Sequence, residues 1–255
     1  ALASGRFTAD SVLPGPKTYQ LPNSTKKLRN WTGTECGPGG KVTLRQALAI
    51  SCNTAFAWLG NELGAAAIRD QAESFGFNTG FEIPLRAATS LFPESPDAPQ
   101  TALSSIGQFD VRATALQMAM VAASVGNSGR TMNPYLVQEI RGPDLSILQT
   151  TEPGQFADAL KPSNSLSLTE MMVNVVENGT GSNAKIPGVR VAGKTGTAQT
   201  GNDSPSVAWF ISFAPAAAPK VAVAVVIEES GAAEVSGNGL AAPIAKAVME
   251  AVLGR

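Results

Sequence analysis

The chain has 255 residues, a net charge of −1 and 44% hydrophobic residues. That is enough for one large domain or two small ones around a real core, and the charge balance gives no electrostatic reason to expect nucleic acid or an anionic membrane surface as a partner. Histidine is absent, which excludes every Ser-His-Asp and Cys-His arrangement. With only two cysteines, no metal site is expected either. No apolar run reaches the roughly 18 residues that a membrane-spanning helix needs.

Ala1-Leu2-Ala3-Ser4-Gly5 reads as the last turn of a helix rather than a natural start, so the chain is expected to be a fragment. Residues 8–41, rich in Gly, Pro, Thr, Lys and Asn, predict loops with short strands. Thr43 and Gln46 form a capping-box pattern that opens a helix with Leu44, Ala47, Leu48 and Ile50 on one side. The pattern breaks at Ser51-Cys52-Asn53. It resumes with Ala55, Phe56, Leu59 and Leu63 and stops at Gly64. A third helix is expected over Ala65–Phe75, and residues 78–104 read as irregular. Thr114 with Gln117, and Ser167 with Glu170, predict two further helix starts; these helices close near Asn127-Ser128-Gly129 and at Gly179.

The C-terminal third is β-rich. Val189–Ala192, Val207–Phe213 and Val221–Glu228 predict strands, the last two antiparallel. Leu240, Ile244, Val248 and Val252 then space out a helix that covers the sheet. The expectation is one α+β domain, an antiparallel sheet covered by helices. Cys36 and Cys52 allow one disulfide closing a loop of about 15 residues, worth about 3 kcal/mol in the chain-entropy model, or they stand as two unrelated buried thiols.

The segment Gly188–Gln199, GVRVAGKTGTAQ, fits two chemistries. Gly188, Gly193, Lys194 and Thr195 match a phosphate-binding loop. Lys194-Thr195-Gly196 also matches the K-T-G of serine enzymes that react with penicillin. A phosphate loop needs a strand before it and a helix from the lysine onward. Asn183–Pro187 makes a poor strand, and Gly196 with Gly201–Pro205 cannot carry a helix. Glu228, at a strand end where a magnesium-binding acid belongs, favours the phosphate reading. The strand reading places Lys194 and Gly196 on one face, and Thr195 and Thr197 on the other. Gly196 then lets another backbone approach closely, and the strand edge can accept a peptide as an added strand. Ser51-Cys52-Asn53 is ambiguous alone, because Ser236-Gly237-Asn238 has the same S-x-N form, and Ser51 and Asn53 also suit plain helix capping.

LRQALAISCNTAFAWLGNELG followed later by VAGKTGTAQ resembles a penicillin-binding protein transpeptidase domain. FGFNTGFEIPL, SSIGQFDVRATALQMAMVAASVGNSGRTMNPYLV and AWFISFAP are similar to further segments of that family, in its order. The likeness spans nearly all of residues 40–255 and is strongest to the class B enzymes of actinobacteria, the penicillin-binding protein A type.

That resemblance implies cross-linking of peptidoglycan stem peptides ending in D-Ala-D-Ala, acylation by β-lactams, no cofactor, and a place in the cell envelope at the outer face of the cytoplasmic membrane. Other cell-wall synthesis proteins are possible partners; nucleic acid is not. An oxidising location favours the Cys36–Cys52 bridge. Ser51, Asn53 and Lys194 take catalytic roles: Ser51 relays a proton and Asn53 holds the substrate amide. Thr195, Gly196 and Thr197 belong to the substrate-binding strand, the two threonines on the terminal carboxylate.

The family's nucleophile lies in an S-x-x-K motif opening a buried helix. Ser24-Thr25-Lys26-Lys27 and Ser182-Asn183-Ala184-Lys185 have the spacing, but neither opens an apolar helix. The nucleophile is therefore expected upstream of Ala1, together with any membrane anchor, leaving residues 1–255 as the C-terminal part of the domain. A penicillin-hydrolysing relative, a penicillin sensor, a non-catalytic cell-wall scaffold and, remotely, a nucleotide-binding protein are the alternatives.

Overall fold

The hydroxyl of Thr43 accepts a hydrogen bond from the Gln46 N–H at 3.2 Å, starting helix α1 (Leu44–Ala49). The chain turns at Ser51 and re-enters a helix at α2 (Asn53–Leu63), then α3 (Ala65–Ser74). The computed structural model describes residues 1–199, 206–232 and 235–255; the stretch from Gly201 to Pro205 read above as non-helical lies outside them. Ahead of α1, four short strands form two antiparallel pairs: β1 (Val12–Pro14) with β4 (Lys41–Thr43), and β2 (Thr18–Gln20) with β3 (Lys27–Arg29).

The region read as irregular holds a helix, α4 (Ala98–Ser104). Asp97 and Gln100 cap each other reciprocally at its start, both bonds at 2.9 Å. A helix of seven residues leaves too few turns for apolar periodicity to register. Next comes α5 (Ala115–Gly126), capped by Thr114 as expected. Four more short strands follow, β5 (Arg130–Met132), β6 (Glu139–Arg141), β7 (Ile147–Thr150) and β8 (Gln155–Asp158), pairing β5 with β8 and β6 with β7.

Helix α6 runs Pro162–Asn178 and so begins five residues before the Ser167–Glu170 pattern. Pro162 supplies the start, because its missing N–H is one that a first helical turn leaves unpaired anyway.

Three longer strands make the central sheet, in the order β11 (Val221–Ile227), β10 (Val207–Ala214), β9 (Ala192–Ala198), all antiparallel. The strand expected over Val189–Ala192 is displaced: Val189 makes only an isolated bridge with Ile186, and the extended run begins at Ala192. Pairing with β10 decides this, since Ala192 to Ala198 face Phe213 to Val207 residue by residue. Alternation along β10 sends Ala208, Phe210 and Ala214 into one buried cluster and Phe213 into another. The second cluster contains Ala122 and Val125 of α5 and Met172 and Val173 of α6. The first contains Ala242, Ala245 and Met249 of the last helix, α7 (Ala242–Leu253).

The face of α7 turned to the sheet is not the expected one. Ile244, Val248 and Val252 are 47%, 42% and 56% exposed, while Ala245 and Met249 are fully buried. Both stripes are apolar, so periodicity cannot separate them; packing against the bulky Phe210 favours the side bearing alanines. Accordingly, Met249→Ala is expected to lower the unfolding free energy by about 2–5 kcal/mol. Val248→Ala should cost within about 0.5 kcal/mol, as an exposed substitution does. Equilibrium urea unfolding of both variants checks the assignment.

Candidate active site

The turn between α1 and α2 is built around a backbone that few side chains adopt. Ser51 has φ of 56°, in the left-handed region, a conformation that costs a non-glycine residue about 1 kcal/mol or more unless its surroundings enforce it. Those surroundings are specific. The Cys52 N–H donates to the Ala47 carbonyl at 2.9 Å, and Cys52, only 1% exposed, is bonded to Cys36 in a disulfide. The buried side chain of Asn30 donates to the Pro16 and Thr34 carbonyls and accepts from the Thr54 N–H at 3.0 Å, pinning the first turn of α2. Asn53 donates from Nδ2 to the Arg29 carbonyl at 3.3 Å, which orients its amide against β3.

Opposite this turn runs β9, at the edge of the sheet. Lys194 Nζ donates to Ser51 Oγ at 3.0 Å and to the Thr195 carbonyl at 2.7 Å. Two motifs separated by 143 residues thus meet through a single hydrogen bond. Desolvation pulls the Lys194 pKa down from 10.5 to about 8, because burial disfavours the charged ammonium. An amine held near neutrality beside a serine hydroxyl can pass protons at physiological pH.

The phosphate-loop reading fails here. Lys194 lies in the middle of a strand that continues to Ala198, so no helix N-terminus follows it.

The remaining strand residues have partners as well. Thr195 Oγ1 lies 2.7 Å from Thr180 Oγ1, and Thr197 Oγ1 accepts from the Gly237 N–H at 3.4 Å. The close approach expected at Gly196 is not what its missing side chain serves: a Cβ there would meet the Trp209 side chain at 3.0 Å, and it is Gly237 that must be glycine for its backbone to reach β9. A Cβ on Gly237 would stand 2.7 Å from the Gly196 carbonyl oxygen and 2.3 Å from that of Trp209. Ser24 lies far from this chemistry, in the turn of the β2–β3 hairpin, where its hydroxyl accepts from the Lys26 N–H. Ser182 starts a short 3-10 turn, and Lys185 pairs with Glu177 at 3.9 Å. Neither S-x-x-K match opens a helix of the core.

Asn30 and Thr180 escaped the sequence reading. Asn30 left no signal in its Gly- and Thr-rich surroundings. Thr180 had one: Gly179-Thr180-Gly181 follows α6 directly, and glycines on both sides of a threonine mark a backbone that something approaches closely.

A family model described as the penicillin binding protein transpeptidase domain matches residues 1–250. The chain belongs to the penicillin-binding protein transpeptidase domain family. The peptidoglycan D,D-transpeptidase PbpA of Mycolicibacterium smegmatis is 44% identical over 99% of this chain and 52% of its own length. Its namesake from Mycobacterium tuberculosis is 45% identical with the same coverage. The chain therefore spans about half the length of the curated relatives it matches. Penicillin-binding protein A of M. tuberculosis, solved as a ceftriaxone acyl-enzyme, superposes with a TM-score of 0.93 at 44% identity, over 98% of this chain and 57% of that one. A D,D-transpeptidase domain from Eggerthella lenta gives 0.88 at 32% identity, over 100% and 62%. The mixed helix and antiparallel-sheet architecture of the chain is shared with these relatives.

The lowered pKa has a thermodynamic consequence. Lys194 binds its proton less tightly in the folded chain than in the unfolded one, so burial of the charge destabilises the fold fully below pH 8. Stability contributed through this group then rises with pH between about 8 and 10.5. Lys194→Met is expected to raise the thermal midpoint at pH 7, with the gain shrinking as pH is raised from 8 towards 10.5. Calorimetry across that range checks the sign, and a gain that is flat or grows with pH would contradict it.

Proposed function

We propose that the intact protein is a serine D,D-transpeptidase that cross-links peptidoglycan stem peptides ending in D-Ala-D-Ala and that β-lactams acylate at the same site. The observation that carries this reading is the 3.0 Å hydrogen bond from Lys194 Nζ to Ser51 Oγ beside an edge strand. It is supported by relatives named peptidoglycan D,D-transpeptidases and by a neighbour solved as an acyl-enzyme.

In this reading the nucleophile is the serine of an S-x-x-K motif upstream of Ala1, and residues 1–255 form the C-terminal part of the transpeptidase domain. The serine oxygen attacks the penultimate carbonyl carbon of the stem peptide. The C–N bond to the terminal D-Ala breaks, and the proton lost by the serine reaches the departing amine through Ser51. Lys194, with its pKa near 8, keeps that relay polarised. Asn53 holds the substrate amide. Thr195 and Thr197 bind the terminal carboxylate, and the Thr197 N–H stabilises the oxyanion, a donor typically worth about 3 kcal/mol in the transition state. An amine from a neighbouring stem peptide then attacks the acyl-enzyme, forming the cross-link and releasing the serine. The chemistry needs no cofactor. The site of action is the cell envelope, outside the cytoplasmic membrane, where a disulfide persists. Other cell-wall synthesis proteins are further partners in this setting.

Labelling the full-length protein with a fluorescent penicillin tests the reading. The unsubstituted protein is expected to form a long-lived adduct, and Ser51→Ala to slow its formation by about 100-fold or more, the range of a lost proton-transfer group. No adduct would refute the proposal; rapid turnover of the penicillin would point to a hydrolase instead. The disulfide adds a second test. A Cys36→Ser, Cys52→Ser double variant should label more slowly, because the Ser51 turn loses its covalent support. An unchanged labelling rate would show that the backbone hydrogen bonds and Asn30 suffice.

A further inference from the structure

Ser182-Asn183-Ala184-Lys185 and Ser236-Gly237-Asn238 imitate catalytic motifs without occupying their places. In the fold they meet. The Asn183 N–H donates to Asn238 Oδ1 at 3.0 Å, and Asn183 Nδ2 donates to the Asn238 carbonyl at 3.0 Å. Asn238 Nδ2 donates in turn to Ser182 Oγ at 3.3 Å. Three hydrogen bonds thus clasp two segments that lie 55 residues apart in sequence.

Each clasped segment touches one threonine of β9. Three residues before Asn183, Thr180 places its hydroxyl 2.7 Å from that of Thr195. One residue before Asn238, Gly237 donates its N–H to the Thr197 hydroxyl. The Gly237 backbone lies so close to β9 and β10 that no side chain fits there. The other segment is anchored in the same way: the Thr180 N–H donates to the Ala49 carbonyl at 2.9 Å, two residues from Ser51. Asn183 is exposed and Asn238 half-buried, so neither fills the core.

We propose that Asn183 and Asn238 are positioning residues for the reaction: their clasp holds Thr180 and Gly237 against β9 and thereby sets the orientation of the Thr195 and Thr197 hydroxyls toward a substrate carboxylate. This inference rests on the transpeptidase reading above. The physical reason is that a hydroxyl donates a single hydrogen. A partner on the far side of each threonine determines whether that hydrogen points to the carboxylate or away from it. A loop that drifts by an ångström loses that control, which is enough to cost up to about 100-fold in rate.

The test uses the full-length protein and two probes, penicillin G and its methyl ester, which differ in the carboxylate alone. Asn183→Ala and Asn238→Ala are each expected to slow acylation by the acid about tenfold or more, leaving the ester rate within about twofold. The double variant should be no slower than the slower single one, since both remove the same clasp. Asn238→Asp, which keeps the acceptor for the Asn183 N–H, should recover most of the acid rate. Thermal midpoints measured in parallel identify any variant that has failed to fold. Acid and ester slowed alike, or neither slowed, overturns the clasp's role while leaving the transpeptidase reading intact. If the unsubstituted protein is not acylated at all, the transpeptidase reading falls and the clasp's role falls with it.

Discussion

The hydrogen bond from Lys194 to Ser51 is the contact on which the candidate site depends. It joins a helix–helix turn to a sheet edge, two elements that share no local sequence. Its formation removes an ammonium from water, and that penalty appears in the lowered lysine pKa. A site that stabilised the charge fully would be a better structural lysine and a poorer carrier of protons. The surrounding fold bears the cost through burial in two clusters against the sheet, one with α5 and the middle of α6, the other with α7 and Val176 near the end of α6.

Holding the two elements in register requires backbones to approach more closely than side chains allow. At Gly179 a Cβ would stand 2.2 Å from the Ala49 carbonyl oxygen, so only glycine lets the end of α6 rest against the end of α1. At Gly237 the same constraint brings the entry to α7 onto Gly196 and Trp209. Between these two contacts lies the strand carrying Lys194, Thr195 and Thr197. The Cys36–Cys52 disulfide acts from a third direction, tying the loop ahead of β4 to the residue that follows Ser51. The left-handed Ser51 is over-determined by these supports, which is what lets a non-glycine residue persist in that conformation.

The helix starts that were legible carried a capping hydroxyl next to an apolar period, as at Thr43 and Thr114. The start of α6 at Pro162 was missed because a similar pattern, Ser167 with Glu170, lies inside the helix. Helix α4 was missed because its capping box is set among prolines and followed by too few turns. For β9 the composition of Val189–Ala192 pointed one way, while the partner strand selected the Gly- and Thr-rich residues after it. Side-chain propensity is a weak force beside a ladder of paired backbone groups.

Local chemistry alone determined a good deal of this protein. Within these 255 residues the absence of histidine leaves lysine, hydroxyl and carboxyl groups as the side chains able to move a proton. The residues after Lys194 were unable to continue as a helix, and S-C-N and K-T-G carried the family likeness. Tertiary structure decided everything that depends on what lies across the chain: which side of α7 faces the sheet, how the Ser51 hydroxyl meets the lysine, and where the look-alike motifs go. Ser51 and Ser236 share the S-x-N spacing; the corner between two apolar helices already singled out Ser51 in the sequence, and the fold supplies the contact of its hydroxyl with Lys194 Nζ. Periodicity reports that a residue has an apolar or polar face, and the choice of partner for that face is made by packing over distances that no local pattern encodes.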